Sequence, residues 1–236
     1  MGCDIHTNVE VRQPDGSWKN FHAWNKEDDY LSPENELLSN RNYDLFAILA
    51  DVRNGRGFAG VKTGEGFNPI FEPRGVPEDA SPEYRAWAEQ WDGDGHSHSW
   101  VTVAEMMAYD WTQTTQKVGV VSLQEWAQYK VNGSPSSWAG NVMGKGIRHF
   151  SIAEVEGAFL SSKMDIWKIY HADETAMTRF KEELSKEGLP FREAFTTVRW
   201  KIPYYRAGRE LLSEVLPQLW RLGKPEDVRL CFFFDN

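Results

Sequence analysis

The sequence predicts an α+β fold, a single globular domain over residues 1–236 with a central mixed β-sheet, an N-terminal β-hairpin, a C-terminal strand-helix-strand unit and long glycine-rich loops. Three observations carry this expectation. Residues 3–12 (CDIHTNVEVR) alternate as a strand does, and a Pro-Asp-Gly turn returns the chain through residues 17–24. The last forty residues read as strand (195–202), amphipathic helix (204–222) and apolar strand (228–234, VRLCFFF). Between them lie several helix-start signals separated by glycine-rich stretches.

After the hairpin, residues 25–42 are polar and proline-punctuated, and residues 43–52 (YDLFAILADV) carry the apolar spacing of a short helix. Residues 53–77 hold six glycines and three prolines with no sustained period, so they form a long loop of the kind that is usually functional in a compact domain. A helix is expected over 82–91, then a loop Asp-Gly-Asp-Gly-His-Ser-His-Ser, then a helix over 103–109 with Thr102 and Glu105 in capping-box spacing. Ser122 with Glu125, and Ser151 with Glu154, repeat that signal; residues 132–148 between them are again rich in Gly and Ser. Asp173 caps a helix running to Lys186 and closed by Gly188 and Pro190. Strand, helix, strand at the end suggests a right-handed parallel crossover.

Composition excludes several functions. The two cysteines, Cys3 and Cys231, lie in apolar segments with no C-x-x-C spacing, which fits a reducing compartment and no disulfide framework. No stretch approaches a membrane span, and the N-terminus has no signal core, so a cytoplasmic protein is expected. His6 stands where a myristoylation signal wants Ser or Thr. A formal charge of −9 repels a phosphate backbone and argues against duplex nucleic acid. The eleven tryptophans and thirteen phenylalanines serve cores and ligand pockets alike.

The chemistry concentrates in a few places. Asp4 and His6 project from one face of a strand, a rigid pair suited to a divalent transition metal or to acid and base acting in concert. A hydrogen-bonded strand histidine is the plainer alternative. In Asp92-Gly93-Asp94-Gly95-His96-Ser97-His98, two imidazoles can reach one ion, with Asp92 or Asp94 ligating or orienting a ring. The plainer alternative there is a solvated turn. His22 is a core-edge candidate, whereas His149 and His171 stand apart. Asp235 ends the apolar strand; pairing antiparallel to the first strand would bring it to Asp4 and His6, and parallel pairing would not. Arg53, Arg56, Lys62 and Arg74 put positive charge into the first long loop of an acidic chain, which suits an anionic substrate, although no Walker motif occurs.

On MGCDIH at the start, RNYDLFAILADVRN (41–54), PRGVPEDASPE (73–83), DGHSHSW (94–100) and CFFFDN at the end, the chain resembles a family of uncharacterised proteins from bacteriophages and bacteria. The resemblance implies the cytoplasm of a bacterial host cell. Asp4-Ile5-His6 and Gly95-His96-Ser97-His98 are also similar to the D-x-H and G-H-x-H motifs of calcineurin-like metallophosphoesterases, whose intervening G-D-x-x-D and G-N-H-[DE] are absent.

The expectation is therefore a hydrolase, dependent on a divalent metal (Zn, Mn, Fe or Ni), acting on a phosphoester or nucleotide-like anionic small molecule. Asp4, His6, His96, His98 and Asp235 would hold the metal; His96, His98 and Asp94 would be catalytic; Arg56 and Lys62 would clamp the substrate. The alternative is a non-enzymatic phage accessory protein that captures a nucleotide signal or blocks a host protein, with Phe58, Phe67, Trp100 and Trp138 available for stacking.

Overall fold

The structure is a computed structural model and describes residues 2–21, 37, 38, 40–91, 93–185 and 190–236. His22, Asp92 and the expected helix end at Lys186 and Gly188 lie outside the described residues. The strands are β1 (Asp4–Arg12), β2 (Trp18–Asn20), β3 (His96–Thr102), β4 (Thr114–Ser122), β5 (Ile147–Phe150), β6 (Glu193–Pro203) and β7 (Val228–Asp235). The helices are α1 (Tyr43–Ala50), α2 (Pro82–Gln90), α3 (Val103–Ala108), α4 (Leu123–Asn132), α5 (Ile152–Ser162), α6 (Ile166–Tyr170), α7 (Glu174–Ser185), α8 (Tyr204–Ala207) and α9 (Leu216–Trp220). The α+β class is as expected. None of the described helices is long and apolar enough to cross a membrane.

Contacts divide the chain into two compact units: residues 1–60, 66–115 and 203–236, and residues 61–65 with 116–202. The first holds a four-stranded sheet ordered β2-β1-β7-β3, antiparallel at every pairing. The second holds a three-stranded sheet ordered β4-β6-β5, with β5 parallel to β6. Its helices α4, α5 and α7 meet at Trp126, Phe159 and Phe180, whose ring centroids lie 5.3 to 6.0 Å apart.

The strands β6 and β7 belong to different sheets, so the expected parallel crossover is not formed. The helix between them is also interrupted. Pro217 has no N–H to donate, and the N–H of Leu216 reaches back five residues to Leu211, giving a π-turn over Leu211–Val215. Capping went as the local chemistry dictates: Thr102 with Glu105 and Ser151 with Glu154 form reciprocal boxes, Ser122 accepts from Glu125, and Asp173 accepts from Ala176.

β7 is buried along Val228–Phe234 and sits between β1 and β3. Its two faces differ in chemistry. One packs Leu230, Phe232 and Phe234 with Ile5, Val9, Phe46, Val101 and Leu211 into an apolar core. The other carries Arg229, which is 1% exposed and donates to Glu10, itself fully buried, from Nε at 2.8 Å. Nη1 of Arg229 meets Asp79 at 2.8 Å, and the guanidinium lies 3.9 Å over the Trp18 ring. Glu10 also accepts from the Ser81 N–H at 2.7 Å, which ties the start of α2 to the sheet.

Candidate functional site

The antiparallel pairing of β1 with β7 sets Asp4 opposite Asp235 and His6 opposite Phe233. Side chains alternate along a strand and paired residues share a face, so Asp4, His6, Phe233 and Asp235 all project to the polar face of the sheet. Nε2 of His6 lies 3.6 Å from Oδ2 of Asp235, and the Asp4 N–H donates to Oδ1 of the same carboxylate at 3.3 Å. The His6 side chain is 13% exposed and that of Asp235 25%, so the pair is largely shielded from water. Around His6 stand Trp91 (4.3 Å between ring centroids), Phe233 (4.9 Å) and Trp87 (6.1 Å). Both tryptophans come from α2 and its C-terminal turn.

Arg41 holds Asp4 in a fork, Nε to Oδ1 at 2.6 Å and Nη2 to Oδ2 at 2.8 Å. These hydrogen bonds, more than the charge itself, hold the Asp4 carboxyl below the usual carboxylate range.

The loop expected at residues 92–99 is in part a strand, and its irregularity decides where the histidines go. β3 pairs His96 with Phe234 and Ser99 with Phe232, so three residues on one strand span two on the other. The extra residue is Ser97, left-handed at φ 53. In a regular strand His96 and His98 would share a face. With the bulge, His96 pairs with Phe234 of the apolar face, while the ring of His98 packs 4.8 Å from Phe233 on the polar face.

This placement bears on the expected metal. His96 is turned away from His6, His98 and Asp235 by the bulge, and both oxygens of Asp4 are engaged by Arg41. Among the described residues no group of three or more His, Cys, Asp or Glu side chains is placed to hold an ion. The five-residue ligand set of Asp4, His6, His96, His98 and Asp235 does not converge on one point.

His96 lines a separate cleft of about 460 Å³ together with Asp51, Arg53, Glu72, Ser97 and Asn236. Three of these, Asp51 (φ 58), Arg53 (φ 52) and Ser97 (φ 53), are left-handed without being glycine. A directed chain of hydrogen bonds crosses the cleft. Arg53 Nη2 donates to Asn236 Oδ1 at 2.9 Å, and because a guanidinium only donates, the amide must turn its Nδ2 to Nε2 of His96, at 2.8 Å. Nε2 thus accepts, and the proton resides on Nδ1, which donates to Ser97 Oγ at 3.0 Å. Burial, then the nearby charge of Arg53, push the His96 pKa down.

No match to this chain is found among protein-family models, curated proteins or solved structures. The assignment of function therefore rests on the geometry alone.

The remaining candidates are dispersed. Asp94 is exposed in the turn before β3, where its N–H donates to the Trp91 carbonyl. Arg56 is exposed and reaches the Gly60 carbonyl at 3.3 Å, and exposed Lys62 belongs to the other compact unit. Phe67 is buried, Trp100 lies under Arg74, and Phe58 is exposed. Trp138, in the second unit, packs on Trp200. Sequence reasoning missed Arg41, Trp87, Trp91, Phe233 and Asn236. For Asn236 the adjacency to Asp235 was the one available signal; the others are set by pairing and packing across long sequence separations.

Proposed function

We propose that the protein hydrolyses a phosphoester or nucleotide-like anionic small molecule, using His6 and Asp235 as a proton-transfer pair in place of a metal-bound hydroxide. The observation that carries this reading is the 3.6 Å approach of Asp235 to His6 at the end of the sheet. With the Asp235 carboxylate at that distance, the imidazolium formed when His6 takes a proton from attacking water is met by a negative charge. Asp235 acts as the positioning residue, itself oriented by the Asp4 N–H. Arg41 supplies positive charge for the phosphoryl oxygens; its guanidinium is more than half exposed and has N–H donors beyond those that hold Asp4. The setting proposed is the cytoplasm of a bacterial host.

The test is turnover of a panel of phosphomonoesters and phosphodiesters, including nucleotides. His6→Ala should lower kcat by about 10²- to 10⁴-fold, the usual contribution of a positioned acid or base. Turnover that survives His6→Ala unchanged would sink the assignment.

A second reading is capture of a nucleotide without chemistry, favoured by the two tryptophans beside His6, whose rings could stack on a base. Under it, the native protein binds nucleotides without turning them over, and Trp91→Ala weakens binding more than His6→Ala does.

A further inference from the structure

We infer that the cleft behind the bulge, on the opposite face of the same sheet end, binds a nucleobase that presents an exocyclic amino group beside a ring nitrogen, as adenine and cytosine do. This rests on the nucleotide-like substrate proposed above and places its base, whereas the His6–Asp235 pair meets its phosphoester. Asp235 and Asn236 are consecutive residues, so the end of β7 borders both places.

Charge argues against a phosphate in this cleft. Among the described residues that line it, Arg53 is the one guanidinium and is turned onto Asn236 and the Gly2 carbonyl, against the carboxylates of Glu72 and of Asp51, one oxygen of which accepts from the Asn54 amide. The cleft also takes in the C-terminal end of α1, where the last carbonyls add negative potential. A negative lining favours N–H donors. The hydrogen-bond chain sets the complementary group: Ser97 Oγ accepts from His96 Nδ1, so the Ser97 hydroxyl keeps its own proton to donate. Carboxylate acceptors together with a hydroxyl donor match an amino group next to a ring nitrogen. At about 460 Å³ the cleft falls within the range of about 300 to 1,000 Å³ common for small-molecule sites. The left-handed turns at Asp51, Arg53 and Ser97 are what bring these groups to one rim.

Calorimetric titration of the native protein with adenosine, cytidine and uridine tests this without any phosphate in the probe. Adenosine and cytidine should bind at least about tenfold more tightly than uridine, which lacks the amino group. The double variant Asp51→Asn, Glu72→Gln should lose about tenfold or more, and it should fold, since asparagine accepts the left-handed conformation as aspartate does and Glu72 is exposed. Equal binding of uridine, no nucleoside binding, or full affinity in the double variant would each overturn the inference. Nucleoside binding by a protein that fails the phosphoester panel would remove the hydrolase and leave the base site standing.

Discussion

His96 and His98 are two residues apart and face opposite sides of one sheet, and each now answers to a different environment. The Asn236 amide fixes His96 as the neutral Nδ1–H tautomer, and burial followed by the charge of Arg53 lowers its pKa. A histidine with a depressed folded pKa stabilises the fold at pH values above its unfolded pKa of about 6.5, and that contribution is lost as pH falls through the folded value. Nitrogen-detected NMR should therefore show Nδ1 protonated at neutral pH and a His96 midpoint below the ordinary imidazole value. Arg53→Gln should raise that midpoint. A midpoint at or above the ordinary value in the native protein would contradict the hydrogen-bond direction assigned here. Asp4 follows the same sign: held low by Arg41, it contributes stability above the ordinary carboxylate pKa and loses it as pH drops through the folded value. The residue types of this region were legible in the sequence; their partners were not, because Asp4 and Asp235 stand 231 positions apart.

At the scale of elements, the bulge in β3 and the ion pair under α2 are the two devices that shape the site. Ser97→Gly should be neutral or stabilising by up to about 1 kcal/mol in urea unfolding, because glycine takes a left-handed φ without strain. Ser97→Val, β-branched at the same φ, should cost about 1–3 kcal/mol. Equal stability of the two variants would mean that the bulge is not left-handed at Ser97. Arg229→Ala strands the fully buried Glu10 and should cost about 3–5 kcal/mol, whereas Glu10→Leu combined with Arg229→Met should recover most of that loss. If the double variant is no better than the single one, the pair is not the source of the cost. The strand β3 escaped sequence reasoning because its histidines and flanking glycines look like a turn, and β4 because two of its inward positions are Thr115 and Lys117. The helix starts were legible, since a cap is chemistry within four residues.

Across the whole molecule, the α+β class, the N-terminal hairpin and the apolar C-terminal strand could be read from local pattern. The sheet order could not. Local alternation identifies a strand but carries no register or partner, so the strand-helix-strand run at the end looked like one crossover and instead supplies two different sheets. The antiparallel choice for β7 is what brings Asp235 to His6, and the bulge is what removes His96 from them. The proposed chemistry thus depends on a side-chain pair and not on a shared ion. The most direct measurement is the rate of phosphoester hydrolysis by the native protein and by Asp235→Asn, each assayed with and without a strong chelator. A native rate unaffected by chelator and lowered by about 10²-fold or more in Asp235→Asn is the predicted result. A rate abolished by chelator and retained in Asp235→Asn would contradict it and return the chemistry to a metal.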